Sequence, residues 1–280
     1  MSEPARLPVA AGKFYTAKAA ALRSELEVFL GQAGLEQPAL GCMLPHAGYV
    51  FSGKVAGLTL ARVAVPETVI LLGPNHTGLG PSLSLWPGGH WHTPLGNVPV
   101  DGEGVESLMN SPEGAGLFTA DTSAHLREHS LEVILPFLQM RREKLRIIPL
   151  CVCEYNLDKL ARAGRALAAL ARSLREAGRA SLLLTSSDMS HYLPHEQGQK
   201  LDRLALEQIE KLDPEGLFQV CVREKISMCG FAPMTMMLCA CRELGAARCH
   251  TVAHTSSGIT GRAYGADMRS VVGYAGAVIA

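Results

Sequence analysis

The chain has 280 residues, 26 basic and 26 acidic side chains and 48% hydrophobic residues. That composition fits an ordinary globular chain with a sizeable core and excludes a disordered one. Zero formal net charge argues against a dedicated nucleic-acid binder. No apolar run approaches the ~18–20 residues of a membrane span. "MSEPARLPVAAGKFY" lacks the apolar segment of a secretory signal, so a cytoplasmic location is expected.

In chain order, "AKAAALRSELEVFLGQAG" from Ala17 has helical apolar spacing and ends at Gly31 or Gly34. "ALGCMLP" reads as a buried strand ending at Pro45, followed by a helix over "SGKVAGLTLARV" with Ser52 as its cap. "TVILLGP", Thr68 to Pro74, is a second strand that breaks at the turn-rich "PNHTGLGP". "SLSLW" and "GNVPVD" are short strands around a loop carrying His90 and His92, and "HSLEVILPFLQMRR" is an amphipathic helix. "KLRIIPLCV" is a third strand, "LDKLARAGRALAALARSLREAG" a long helix, and "RASLLLTSSD" a fourth strand running into "MSHYLPHEQG". Helices follow at Lys200–Leu212, Pro214–Arg223 and "FAPMTMMLCACREL", and "ARCHTVAHTSS" and "RSVVGYAGAVIA" close the chain as strands. Strands alternating with helices predict one α/β domain over 1–280, a mostly parallel or mixed central sheet with helices on both faces.

Eight cysteines lie mostly in apolar runs without a C-x-x-C pair, which points to free thiols rather than a disulfide framework or zinc ribbon. In open α/β sheets ligands bind beyond the carboxyl ends of the strands. Three strand-like runs end in polar turns bearing histidine: "CMLPHAG" at His46, "ILLGPNHTG" at His76, and "LLLTSSDMSH" at Asp188 and His191. If their strands are parallel neighbours, these side chains converge on one edge. A lone histidine after a strand is more often a turn or core residue, and His195, His250 and His254 are read that way. His90 and His92 are assigned structural or rim roles.

"AHLREHSLEVILPFL" spaces His125, Glu128, His129 and Glu132 at i, i+3, i+4 and i+7, where one helix face could carry them. The order H-x-x-E-H is that of an inverted zinc peptidase motif. The alternative is that Glu128 and His129 orient primary ligands from behind. "GYVFSGKV" nearly matches a phosphate-binding loop, but Val55 replaces the hydroxyl residue that would hold magnesium. A hydrolase built on Ser187, Asp188 and His191 lacks the G-x-S-x-G elbow.

"PHAGYVFSG", "GPNHTG", "WHTPLGNVPVD", "EHSLEVILPFL", "SSDMSHY" and "MCGFAP" occur in the order seen in the Memo family, whose bacterial and archaeal members are called AmmeMemoRadiSam system protein B. The resemblance spans nearly the whole chain. It implies a fold like that of the class III extradiol dioxygenases, non-haem iron(II) enzymes with a pocket at the sheet edge. Carried over residue by residue, it implies a metal site of His46, His76 and Cys229, with Asp188 and His191 as further pocket residues; the dioxygenase histidine matched by His191 is the proposed acid/base. Iron(II) is the first expectation, with copper and zinc as alternatives. The dioxygenases use a carboxylate where this chain has Cys229, and a thiolate is softer and more easily oxidised. The expected function is a redox or oxygen-using enzyme acting on a small organic molecule. The resemblance also implies two rivals: an adaptor binding a phosphotyrosine peptide through a vestigial pocket, and an accessory to a radical S-adenosylmethionine protein. The chain has no C-x-x-x-C-x-x-C motif of its own.

Overall fold

The computed structural model describes residues 4–31 and 36–280. The chain begins with β1 (Ala5–Arg6), α1 (Ala19–Leu30), β2 (Gly41–Leu44), α2 (Tyr49–Leu60) and β3 (Thr68–Pro74). It continues through β4 (Leu83–Leu85), β5 (His90–Thr93), β6 (Gly96–Pro99), α3 (Gly102–Asn110), β7 (Thr119–Ala120), α4 (Ser123–Leu126) and α5 (Leu135–Arg141). β8 (Arg146–Val152), α6 (Leu157–Glu176), β9 (Ser181–Ser186), β10 (His191–Leu193), α7 (His195–Glu210) and α8 (Pro214–Arg223) follow. α9 (Phe231–Glu243), β11 (Cys249–Ser256), α10 (Ser257–Thr260) and β12 (Val271–Ile279) complete it. No described helix is long and apolar enough to cross a membrane.

The large sheet runs β10-β12-β2-β9-β3-β8-β4-β7, with β11 on β12. β2, β9, β3 and β8 are parallel, whereas β12 joins β2 and β4 joins β8 antiparallel, so the sheet is mixed. Side chains alternate between sheet faces, and both faces are covered, which is why these strands read as unbroken apolar runs. Met43, Ile70, Leu72, Ile148, Leu150 and Leu183 enter one core, where α3, α6, α7, α8 and α9 pack. Cys42, Leu44, Val69, Leu71, Leu182 and Leu184 enter the other, beneath α1, α2 and α5. α1 buries Leu22, Leu26 and Leu30 at helical spacing and stops at Gly31, whose φ is 61°. Gly34, the other predicted stop, lies outside the described residues.

Four expectations need correction. β9 lies between β2 and β3, so the strands leading to His46 and His76 are not neighbours. α2 begins at Tyr49 with Gly48 at its cap; Ser52 sits in the first turn and donates to the Ala47 carbonyl at 2.8 Å. His90 and His92 occupy β5, the middle strand of a small sheet ordered β1-β5-β6, rather than a loop.

The H-x-x-E-H segment, lastly, is not one helix. α4 ends at Leu126, and a 3₁₀ turn at Glu132–Ile134 precedes α5. The backbone groups that would continue the helix are taken by other partners. Arg6 donates through Nε to the His125 carbonyl at 2.8 Å and through Nη2 to the Glu128 carbonyl. Glu128 Oε1 accepts from the backbone N–H groups of His129 and Ser130, each at 2.9 Å. The buried Arg6 guanidinium stacks over Trp91 and pairs with Glu132 at 2.8 Å. Glu132 is satisfied in turn by Tyr15 and by the backbone of Val9 and Ala10. A charge pair this deep is stable only when its remaining hydrogen-bonding capacity is filled, so the N-terminal segment clamps the turn that carries Glu128 and His129.

Candidate metal centre

In-register pairing of Leu44 with Ser186 and of Leu72 with Thr185 brings the carboxyl ends of β2, β9 and β3 level. The turn after β2 carries His46, which is 2% exposed. Its backbone N–H donates to Asp188 Oδ1 at 2.9 Å, and that of Ala47 donates to the same oxygen at 3.3 Å. The Ser186 hydroxyl donates to the Ser130 carbonyl at 2.7 Å and lies 2.7 Å from His46 Nδ1. Its one proton being committed, it must accept from Nδ1–H. The tautomer is thereby set, and Nε2 of His46 carries the lone pair. Burial, reinforced by the neighbouring His76, His129 and His191, holds the His46 pKa well below the ordinary imidazole value, so the ring is neutral.

His76 reaches the same space from the turn after β3. Its Nδ1 lies 2.9 Å from Glu128 Oε1, and its backbone N–H donates to Oε2. Burial opposes a charge on His76, but the hydrogen bond and charge of Glu128 prevail and raise its pKa. Burial would likewise raise Glu128, yet its bonds to His76 and the Ser130 backbone bring it down to about 2. An imidazole held by a carboxylate at Nδ1 presents Nε2 outward, the arrangement common among metal-ligating histidines.

Cys229 comes from the loop before α9. A Cβ added to Gly230 would meet the Ser187 Cβ at 2.4 Å, so glycine lets this loop close onto the end of β9. Cys229 Sγ then lies 3.4 Å from His46 Nε2 and accepts from the Asp188 backbone N–H at 3.3 Å. Ligand atoms of His46, His76 and Cys229 all fall within 4.8 Å of one another. Bonds of about 2.0–2.1 Å to nitrogen and 2.3 Å to sulfur put N and S roughly 3.6 Å apart around a tetrahedral ion. The His46–Cys229 spacing matches that figure, and two nitrogens with one sulfur form a donor set for a transition ion. Burial, with the Asp188 charge adding to it, pushes the free thiol pKa far up, so the bare thiolate is disfavoured until a cation accompanies it.

His191 and Asp188 flank this group. His191 Nδ1–H donates to the Ser227 carbonyl at 2.8 Å, which leaves Nε2 able to exchange a proton. Burial raises the Asp188 pKa to about 6, against the opposing backbone bonds and the charge of His191. The contact from Asp188 to the His46 turn makes it a positioning residue, a role its sequence position did not reveal. His129 also lines the site, its ring 4.9 Å from that of His76 and 5.5 Å from that of His46 between centroids. Ligand atoms of His76, Glu128 and His129 form a second group within 4.8 Å. The motif spacing picked out Glu128 and His129, but through a helical face that does not exist. His125 turns away into the core, where Nε2–H donates to the Ser84 carbonyl at 2.9 Å.

The remaining candidates separate from the site. His195 contacts Ser256, and His254 contacts Asp202. The Ser187 hydroxyl donates to the Asp188 carbonyl rather than to a histidine, which removes the triad reading. Tyr49 to Lys54 is already helical, and Gly53 abuts Phe29, so this stretch is no phosphate-cradling loop.

A family model described as Memo-like protein matches residues 6–278. The chain belongs to the Memo family. It is 41% identical to a MEMO1 family protein of Ignicoccus hospitalis over 289 residues, covering 96% of each chain. It is 38% identical to one from Methanopyrus kandleri, covering 98% of each. A third, from Thermotoga neapolitana, is also 38% identical and covers 98% of this chain and 99% of its own. All three are named for the family rather than for a reaction.

Proposed function

We propose that this Memo protein is a metal-dependent oxidoreductase acting on a small organic molecule, with one ion held by His46, His76 and Cys229. The observation that carries this reading is the meeting of two imidazole nitrogens and a thiol sulfur within 4.8 Å at the sheet edge. Iron(II) is the favoured ion, with copper and zinc as alternatives. When bound, the ion supplies Lewis acidity and, for iron or copper, one-electron chemistry at positions that three protein ligands leave open.

The residues of the chain supply the remainder. His46 enters neutral with Nε2 unprotonated, and Glu128 fixes the His76 ring. Asp188 holds the His46 turn against β9. His191, anchored through Nδ1 to the Ser227 carbonyl, exchanges a proton with the substrate at Nε2. A binding module using the same pocket without turnover is the rival reading.

The test is metal analysis after anaerobic purification, comparing wild type with His46→Ala/His76→Ala. Stoichiometric metal in wild type and none in the variant is expected. Equally negligible iron, copper and zinc in both rejects the metal role. Calorimetric binding of a phosphopeptide that ignores both the metal and His191→Ala would favour the adaptor.

A further inference from the structure

β5 carries a second pair of histidines. It is the central strand of its small sheet, paired with β1 through Ala5↔His90 and Arg6↔Trp91, and with β6 through His90↔Pro99 and His92↔Asn97. Trp91, between the two histidines, points inward and is 1% exposed, packed against Trp86 and Arg6. Residues i and i+2 of a strand share a face, so burying Trp91 turns His90 and His92 outward together. Both are half-buried. The strand is entered through Gly89, whose φ is 74° and where a Cβ would stand 1.9 Å from the Pro4 carbonyl oxygen, so the chain before His90 lies tight against the N-terminal segment.

The two Nε2 atoms lie 3.2 Å apart with the rings 86° from coplanar. Two imidazole nitrogens on one ion at about 2.0–2.1 Å are separated by roughly 2.9 Å at a right angle and 3.4 Å at a tetrahedral angle. The observed spacing falls between these limits. A strand hydrogen-bonded on both sides and anchored by a buried tryptophan keeps that spacing without reorganisation, so binding costs little ordering entropy.

We infer that His90 and His92 form a second, two-nitrogen chelate on the outer face of the small sheet, selective for borderline divalent transition ions. Imidazole donors suit zinc, nickel and copper, and the divalent stability order puts copper(II) first. Hard ions such as magnesium and calcium, which demand oxygen ligands, are not held. Water or an incoming group completes the coordination, so the bound ion exchanges readily. This inference is independent of the ion at His46, His76 and Cys229.

The experiment titrates the full chain with copper(II) alone in a non-chelating buffer at pH 7.5. Bound equivalents are counted after gel filtration, and the copper spectrum is read by electron paramagnetic resonance. Four proteins are compared: wild type, His90→Ala/His92→Ala, His90→Asn/His92→Asn, and His46→Ala/His76→Ala. Near-ultraviolet circular dichroism verifies that each is folded. Both double substitutions in β5 should bind one equivalent fewer than wild type. His46→Ala/His76→Ala should retain an equivalent whose spectrum shows two imidazole nitrogens. Magnesium alone should not compete for it. If the β5 variants bind as many equivalents as wild type, or the retained spectrum lacks two-nitrogen coupling, the pair is a hydrogen-bonded contact only and the inference fails.

Discussion

Nε2 of His46 lies 3.4 Å from Sγ of Cys229, across 183 residues of chain. Neither atom is placed by its own segment alone. His46 is oriented by Ser186 at the end of β9 and by Asp188 on the turn that follows, and Cys229 is brought in because Gly230 packs against Ser187 of that turn. The end of β9 is therefore the common support of two proposed ligands that belong to other elements.

Removing the sulfur should remove the ion. Cys229→Ala is expected to cut metal affinity by more than the roughly 10–100-fold typical of groups that only orient ligands. Cys229→Asp supplies a harder anionic ligand and should shift preference away from copper. Competition titrations with copper and iron(II) would check this, and unchanged affinity in Cys229→Ala would exclude the thiol as a ligand.

Glu128→Gln tests the support behind His76. The carboxylate accepts from the His76 ring and from the backbone N–H groups of His76, His129 and Ser130. A glutamine replaces one acceptor oxygen with a donor and leaves a buried group unmatched, at a cost of about 1–3 kcal/mol. Metal affinity should fall about 10–100-fold through loss of the ring's orientation. Urea denaturation of the metal-free protein and metal titration measure the two effects separately.

Gly230→Ala should disturb the centre from outside it. The added methyl overlaps Ser187 Cβ and the Ser186 carbonyl, and overpacking of this kind costs about 1–3 kcal/mol. Cys229 is displaced with it, so metal retention through gel filtration should drop. Gly88→Ala is the control, because its added Cβ meets nothing within 4 Å. Equal metal retention in the two variants would contradict the close-approach argument.

The acid side of the stability profile should report His125. This ring is fully buried, donates to the Ser84 carbonyl and lies 3.3 Å from the Cys151 thiol. Burial lowers its pKa from 6.5 to about 4. Between those values the unfolded chain holds a proton that the folded one refuses. The associated stability is complete above pH 6.5 and is lost as pH falls toward 4, to a total of roughly 3 kcal/mol. His125→Gln keeps an N–H for Ser84 and does not titrate, so wild type should lose stability relative to the variant across that window. Parallel denaturation free energies from pH 7 to pH 4 would count against a neutral buried His125.

The strands of the site were legible because the sheet buries both faces, so "GCML", "TVILLGP" and "SLLLTS" stand out as apolar runs bounded by turn residues. His46, His76 and Asp188 were legible for the same reason, each lying just beyond a strand end, and His191, which opens β10, follows Asp188 in the same polar run. Cys229 rested on the family motif, since a cysteine between Met228 and Gly230 carries no periodic signal.

Other features had no local signature. The small sheet joins residues 5–6 to 90–99, and the insertion of β9 between β2 and β3 follows from pairing across more than a hundred residues. The H-x-x-E-H stretch is the clearest case: its spacing favours a helix, but Arg6, over a hundred residues earlier, takes two of its carbonyls, and Glu128 takes two of its N–H groups. By itself the sequence determined which residues are apolar, where the chain turns and which side chains can bind an ion, because these depend on composition and short-range geometry. Tertiary structure alone decided which of those side chains meet, because a hydrogen bond or ligand contact is settled by whichever distant group fills it with the least unsatisfied polarity left in the core.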